Sequence, residues 1–271
     1  MKVLIAIFFI ILSFAGAEAK NDIKVLLLQA TGSPIVFSYL LGDRDKFDQR
    51  IINWEKDISN LTFNEIETSL NRFNIEVRGN IEDAPISWKM IVIAANAFNP
   101  EKLNQKKLSI RVDSKNLEDF AGVCIGNSCL YNKNELEKFT FSPEYLDGTS
   151  LHTIPGIKGL HLAIHELAHT FQPFHSLDRE SLPHKAWSDA LLNSQTISNY
   201  GARNINESFA EAVTAAILDP FFACYAPSLA KIILNNEILA PDFSSRLERF
   251  VGNCDNPIFR EIVEVRRTMF Q

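Results

Sequence analysis

The sequence predicts an α+β protein of two lobes, a mixed strand-and-helix N-terminal lobe and a helical C-terminal lobe. Three observations carry this expectation. Apolar residues recur at helical spacing in two early segments, a period-two pattern occupies residues 108–112, and beyond about Gly156 the pattern is nearly all helical. The change of character near residue 150 separates a 20–155 lobe from a 156–271 lobe within one domain, with a cleft expected between them.

At the N-terminus, Lys2 precedes an unbroken apolar run from Val3 to Leu12, followed by the small-residue groups Ala15-Gly16-Ala17 and Ala17-Glu18-Ala19. This is the pattern of a secretory signal peptide cut after Ala17 or Ala19, so residues 1–19 are assigned to it. The run is short for a bilayer core of ~30 Å and no second long apolar run follows, so no stable membrane span is expected after cleavage. The expected destination is secreted or periplasmic.

Ile23 to Leu28 reads as a short strand. Phe47, Ile51, Trp54 and Ile58 mark one helix; Phe63, Ile66, Leu70 and Phe73 mark a second, opened by a Thr62–Glu65 capping box. Ile75-Glu76-Val77 and the apolar run Trp88 to Ala95 read as strands, and Leu108-Ser109-Ile110-Arg111-Val112 alternates as a half-buried strand does. In the second half, Pro173, Pro183, Pro220, Pro227, Pro241 and Pro257 fall near expected helix boundaries.

Composition excludes some functions. Lys plus Arg is 27 against 33 Asp plus Glu, for a net charge of -6. Nucleic-acid binding rests on a positive field, so no nucleic-acid partner is expected. The four cysteines, read in an oxidising compartment, imply disulfides, and local pairing of Cys124 with Cys129 and Cys224 with Cys254 is the simplest of three connectivities.

The chemistry-bearing segment is His165-Glu166-Leu167-Ala168-His169, an HExxH pattern on a helix. Residues four apart share a helix face, so His165 and His169 can grip one Zn²⁺. Glu166 lies beside that face, where it can act as general base toward water without being a ligand. Downstream, Asn204 can cap a helix running to about Leu218 on which Glu207 and Glu211 lie one turn apart among apolar residues. Such acids are costly to bury without a cation. Glu207 can close a His₂Glu zinc site, and Glu211 can accept the free N–H of a zinc histidine and fix its tautomer.

HExxH followed by a helix bearing Asn-Glu and a second acid resembles the gluzincin plan, as in thermolysin. The longer string Tyr200-Gly201, Asn204, Glu207-x-Phe209-Ala210-Glu211-Ala212 is similar to the catalytic domain of anthrax lethal factor and its relatives, including bacterial secreted Pro-Pro endopeptidases. The match covers residues 161–218; the preceding lobe matches only in length and strand-helix character. The resemblance implies a two-lobed zincin-like metallopeptidase fold, with His165, His169 and Glu207 as ligands, Glu166 as base and Tyr200 as the phenol that stabilises the oxyanion. It implies a zinc endopeptidase whose peptide or protein substrate lies extended against an edge strand.

Two alternatives stay open. His165, His169 and His175 fit metzincin spacing, although Gln172 stands where those enzymes place Gly, and the only methionines are Met1, Met90 and Met269. A zinc-stabilised binding module without catalysis is the second. His161, one turn before His165, can line the cleft or contact a ligand, whereas His152 and His184 read as surface residues. Asn60-Leu61-Thr62 and Asn206-Glu207-Ser208 are formal glycosylation sequons, and a glycan on Asn206 would crowd the metal, so that one is expected to stay unused.

Overall fold

A computed structural model describes residues 44–113, 121–139, 141–142, 156–173, 179–192, 197–198, 200–219, 222–255 and 257. The expected signal peptide (1–19), the strand at Ile23–Leu28, His152 and His175 lie outside the described residues.

The chain opens with helices α1 (Arg44–Ser59) and α2 (Phe63–Arg72). Both match the apolar periodicity: Trp54, Ile58, Ile66 and Leu70 are buried. The capping box forms as read, with the Thr62 hydroxyl accepting from Glu65 N–H and the Glu65 carboxylate accepting from Thr62 N–H. Strand β1 (Glu76–Arg78) and a 3₁₀ turn (Ile81–Asp83) follow.

The expected strand at Trp88–Ala95 is instead the core of helix α3 (Pro85–Ala95). Pro85 opens the helix, where its missing N–H costs nothing, and every residue from Ser87 to Ala95 is buried. A short run apolar on all sides carries no period, so strand and buried helix cannot be told apart there from the sequence pattern. Lys89 escapes burial of its charge by extending Nζ to the carbonyl of Ser59 at 2.8 Å.

Helix α4 (Pro100–Lys106) leads into strands β2 (Ser109–Asp113), β3 (Gly122–Ile125) and β4 (Ser128–Asn132). The sheet order is β1-β2-β4-β3. β1, β2 and β4 run parallel, and β3 is an antiparallel edge strand with Cys124 opposite Cys129. The expected Cys124–Cys129 disulfide forms between these two partners. After the short helix α5 (Lys133–Leu136), β5 (Phe141–Ser142) pairs antiparallel with β6 (Gly156–Ile157), and β6 runs into helix α6 (Lys158–His169).

From α6 onward the described residues are helical: α7 (Leu182–Leu192), α8 (Ile205–Leu218), α9 (Phe222–Tyr225), α10 (Pro227–Asn235) and α11 (Pro241–Asn253). Pro183, Pro227 and Pro241 sit at or near helix starts, as their fixed φ favours. The Cys224–Cys254 disulfide ties α9 to the end of α11. The architecture is thus α+β, with more helix in the N-terminal half than the strand-rich reading expects. Its hydrophobic core is one cluster that takes in Trp88 and Ile110 from the first half and Leu167, Phe209 and Leu247 from the second. Backbone hydrogen bonds from Asn99 N–H to Ile238 O and from Ala240 N–H to Ala97 O join the halves at 2.8 Å each.

Helix α6 is the pivot. It packs against α3, α5, α8 and β3. Its first turn docks so closely on the end of α5 that a Cβ at Gly159 would lie 1.9 Å from the Leu136 carbonyl oxygen. We expect Gly159→Ala to destabilise the fold by about 2 kcal/mol or more, because the clash is with backbone that cannot rotate away. A thermal melt matching the wild type would show that this docking can relax.

Candidate metal centre

The centre is built where α6 crosses α8. Helix α8 is capped by Asn204, whose side chain accepts from the N–H groups of Asn206 and Glu207 at 2.9 and 3.0 Å. The cap starts the helix so that Glu207 falls in its first turn and Glu211 one turn later, both toward α6. From Ser208 to Leu218 every residue of α8 is buried, so Glu211 enters an apolar interface.

The side chains of His165, His169 and Glu207 converge. His165 Nε2 lies 3.0 Å from Glu207 Oε2 and 3.2 Å from His169 Nε2, and His169 Nε2 lies 3.4 Å from Glu207 Oε2. Four-coordinate zinc with bonds of ~2.0–2.1 Å separates its ligand atoms by about 3.3 Å. The three edges of this triangle match that spacing. The donors are two imidazole nitrogens and one carboxylate oxygen, a set suited to zinc, and the group could hold a metal ion.

Glu211 lies behind the triangle and organises it. Its Oε1 accepts from His165 Nδ1 at 2.8 Å and from His161 Nε2 at 3.1 Å, and its Oε2 accepts from the Ser198 hydroxyl at 2.5 Å. With the Nδ1 proton held there, Nε2 of His165 is the atom turned to a metal. The arrangement expected of Glu211 is present, and His161 joins it as a second donor to the same oxygen. Ser198 extends the network, since its Oγ accepts from Gly201 N–H at 2.9 Å. The buried carboxylate is thereby tied both to His165 and to the turn that carries Tyr200.

The electrostatics of the protein alone show a site prepared for positive charge. Burial pushes the His165 imidazole down, but hydrogen bonds to Glu207 and Glu211 outweigh it and raise its pKa to about 10. Burial would raise Glu207, yet His165 and His169 hold its carboxyl down at about 2. Glu211 likewise stays below the usual carboxylate range, because His161 and His165 overcome its desolvation. A metal cation placed among these groups would take over the compensation that the His165 proton provides.

Glu166 is buried beside the triangle, and burial is the main cause of its raised pKa. The backbone N–H of Cys124 on β3 donates to its carboxylate. The strand comes so close that a Cβ at Gly122 would lie 2.9 Å from Glu166 Cγ. Tyr200 is 42% exposed at the rim, its ring centroid 5.4 Å from that of His165. The Arg203 guanidinium stands over the Tyr200 ring, 4.6 Å from its centroid. Burial, then the charges of Glu207 and Glu166, raise the Tyr200 pKa and keep its hydroxyl a proton donor.

All six residues singled out from the sequence therefore gather at one place. A cavity of about 490 Å³ opens over them, lined by Glu166, His169, Tyr200 and Glu207 on one side and by residues of β3 on the other. His184 departs from the surface reading: it is half-buried and pairs with the Ser188 hydroxyl at 3.3 Å. Sequence reasoning named Gln172 and Asn206 without placing them in the cavity wall, and it missed Ser198 and the Cys124 N–H. Gln172 Nε2 donates to Asn206 Oδ1 at 2.5 Å within the cavity wall. Only the position of Asn206 beside Glu207 could have flagged it; a lone serine and a backbone amide leave no mark on a sequence.

No protein-family model, curated protein or solved structure matches this chain.

Two variants separate ligand from support. Glu207→Ala should abolish stoichiometric zinc binding, and Glu211→Gln should weaken it by about 10- to 100-fold with stoichiometry kept. Competition with a chromophoric chelator measures both; wild-type affinity in Glu207→Ala would remove that residue from the centre.

Proposed function

We propose that the protein is an exported zinc endopeptidase built on the gluzincin plan and related to the lethal factor and Pro-Pro endopeptidase catalytic domains. One observation carries the reading. Three donor atoms from two helices form a triangle of zinc-ligand size, with the base of the HExxH motif and a tyrosine on the same cavity. Export is supported by the signal-peptide pattern and by the two disulfides, which suit an oxidising compartment.

Zinc held by His165, His169 and Glu207 would supply a Lewis acid that polarises the scissile carbonyl and acidifies water. The remaining work belongs to the chain. Glu166 takes a proton from the attacking water onto its carboxylate and returns it to the leaving amine. Tyr200 donates its hydroxyl hydrogen bond to the carbonyl oxygen as charge develops there. Arg203 above the ring limits the directions in which Tyr200 can swing. The edge strand β3 borders the cavity from Gly122 to Ile125 and offers an extended peptide a backbone to pair with. Glu207 within the triangle supports the gluzincin assignment over the metzincin one, since a third donor is already supplied by α8.

Glu166→Gln should retain zinc and lose activity by at least about a thousandfold on any cleavable peptide, a size typical of losing a general base together with its positioning. Tyr200→Phe should lower kcat by about 100-fold or more with little change in KM. Steady-state kinetics on a substrate found from a peptide library tests both, with a chelator-treated sample as the metal-free reference. An active Glu166→Gln protein, or a zinc-loaded wild type that cleaves nothing, would reject the peptidase reading.

A further inference from the structure

The cavity that opens over His169 and Glu207 is lined by one lysine. Lys106, the last residue of α4, lines the cavity together with Gly126, Asn127, Thr170 and Gln172. It also lines an adjoining cavity of about 400 Å³ with Lys102, Gln105, Phe171, Asn236 and Ile238. Among the described residues it is the only lysine or arginine shared by the two spaces.

Its surroundings fix it there. The Lys106 ammonium lies 5.5 Å from the centroid of the Phe171 ring, and that ring stacks on Phe98 at 4.9 Å and 10°. The platform is rigid, because Phe98 is fully buried and Phe171 nearly so. Lys102 stands one turn earlier on the same helix, close enough to repel Lys106. Lys102 has its own partners, the Asn236 carbonyl at 2.6 Å and exposed Glu237 at 3.5 Å. No carboxylate forms an ion pair with Lys106 among the described residues. The two acids that share its cavity are committed elsewhere, Glu207 to the histidines and Glu166 to the Cys124 N–H. A half-buried ammonium beside a second cation, with no anion of its own, is incompletely compensated. Burial and Lys102 both disfavour its charged form, in keeping with that geometry.

We propose that Lys106 makes this end of the cleft a carboxylate-recognising subsite, so that the peptides best accepted carry a carboxylate within a few residues of the scissile bond. The inference rests on the peptidase reading for its substrate but on separate residues for its chemistry. The adjoining cavity has room for an acidic side chain, and Gln105 and Asn236 there can complete its hydrogen bonding. The carboxylate can come from an aspartate or glutamate side chain or from the free C-terminus of a short peptide.

The test uses the zinc-loaded mature protein and a cleavable peptide frame taken from an unbiased library. Glutamate and its isostere glutamine are placed in turn at each position flanking the bond in C-terminally amidated peptides, and truncated peptides are compared as free acid and amide. Wild type should favour one carboxylate-bearing peptide by about tenfold in kcat/KM, a size expected of a charge-assisted hydrogen bond in a half-buried place. Lys106→Met, which keeps the stem against Phe171, should erase that preference while cleaving the neutral peptides at wild-type rates. Lys106→Glu should invert it toward lysine-bearing peptides. A gain confined to internal glutamate identifies a side-chain subsite, and a gain confined to the free acid identifies a C-terminal one. Equal rates for all pairs in the wild type, or a preference that persists in Lys106→Met, would overturn the subsite. If no peptide is cleaved, binding of the same labelled peptides by fluorescence anisotropy decides the matter separately from catalysis. A carboxylate preference lost in Lys106→Met retains the subsite; equal binding, or none, rejects it.

Discussion

Burying ionisable side chains between two apolar helices is the constraint on which this protein turns. His165, Glu166 and Glu211 are each less than a tenth exposed, in an interface otherwise made of Leu167, Ala168, Phe209, Ala210 and Val213. A charge in such a place is tolerated only when an opposite charge and hydrogen bonds accompany it. The structure meets that condition group by group: each oxygen of Glu211 has a donor, and His165 has an acceptor at both ring nitrogens. The geometry required for folding is therefore also the geometry that gathers, at one point, three donor atoms that could hold a metal ion. Remove one member and the others are left buried without compensation, so stability and the centre are coupled.

The rest of the fold holds that interface still. α6 is gripped on several sides, by α3, α5, α8 and β3, so His165 and His169 cannot separate without disturbing the core. Glu211 then passes the order outward, through Ser198 to the N–H of Gly201 and so to the turn bearing Tyr200. His165 and the rim residue Tyr200, which belong to different elements, are held in register by one carboxylate. Polar networks of this kind favour a single arrangement because partial satisfaction is expensive.

The opposite wall is stiffened by different means. β3 is the edge of the sheet, where unpaired backbone groups are exposed to any extended chain. The disulfide between cross-strand partners Cys124 and Cys129 closes the hairpin, and the Cys124 N–H to Glu166 contact keeps the strand against α6. On the proposed peptidase reading, a peptide in the cleft would meet a fixed strand and fixed side chains, which would reduce the ordering that binding demands. The cations on α4 add a charge signature to a protein that is acidic as a whole.

Spacing along the chain determined the helix of HExxH, the Asn204 cap and the acidic pair on α8, and it made local pairing the simplest of three cysteine connectivities, because each depends on residues near one another in sequence. The i, i+4 relation alone puts His165 with His169 and Glu207 with Glu211 on common faces. What it cannot give is the approach of one helix to another. That Glu207 meets the histidines while Glu211 stands behind them, that His161 and Ser198 share its carboxylate, and that Lys106 turns toward the same cleft are decided by packing over long sequence separations. The same reason explains the misread segment at Trp88–Ala95: a run apolar on every side has no period to read, and only its enclosure by α2, α5 and α6 makes it a helix.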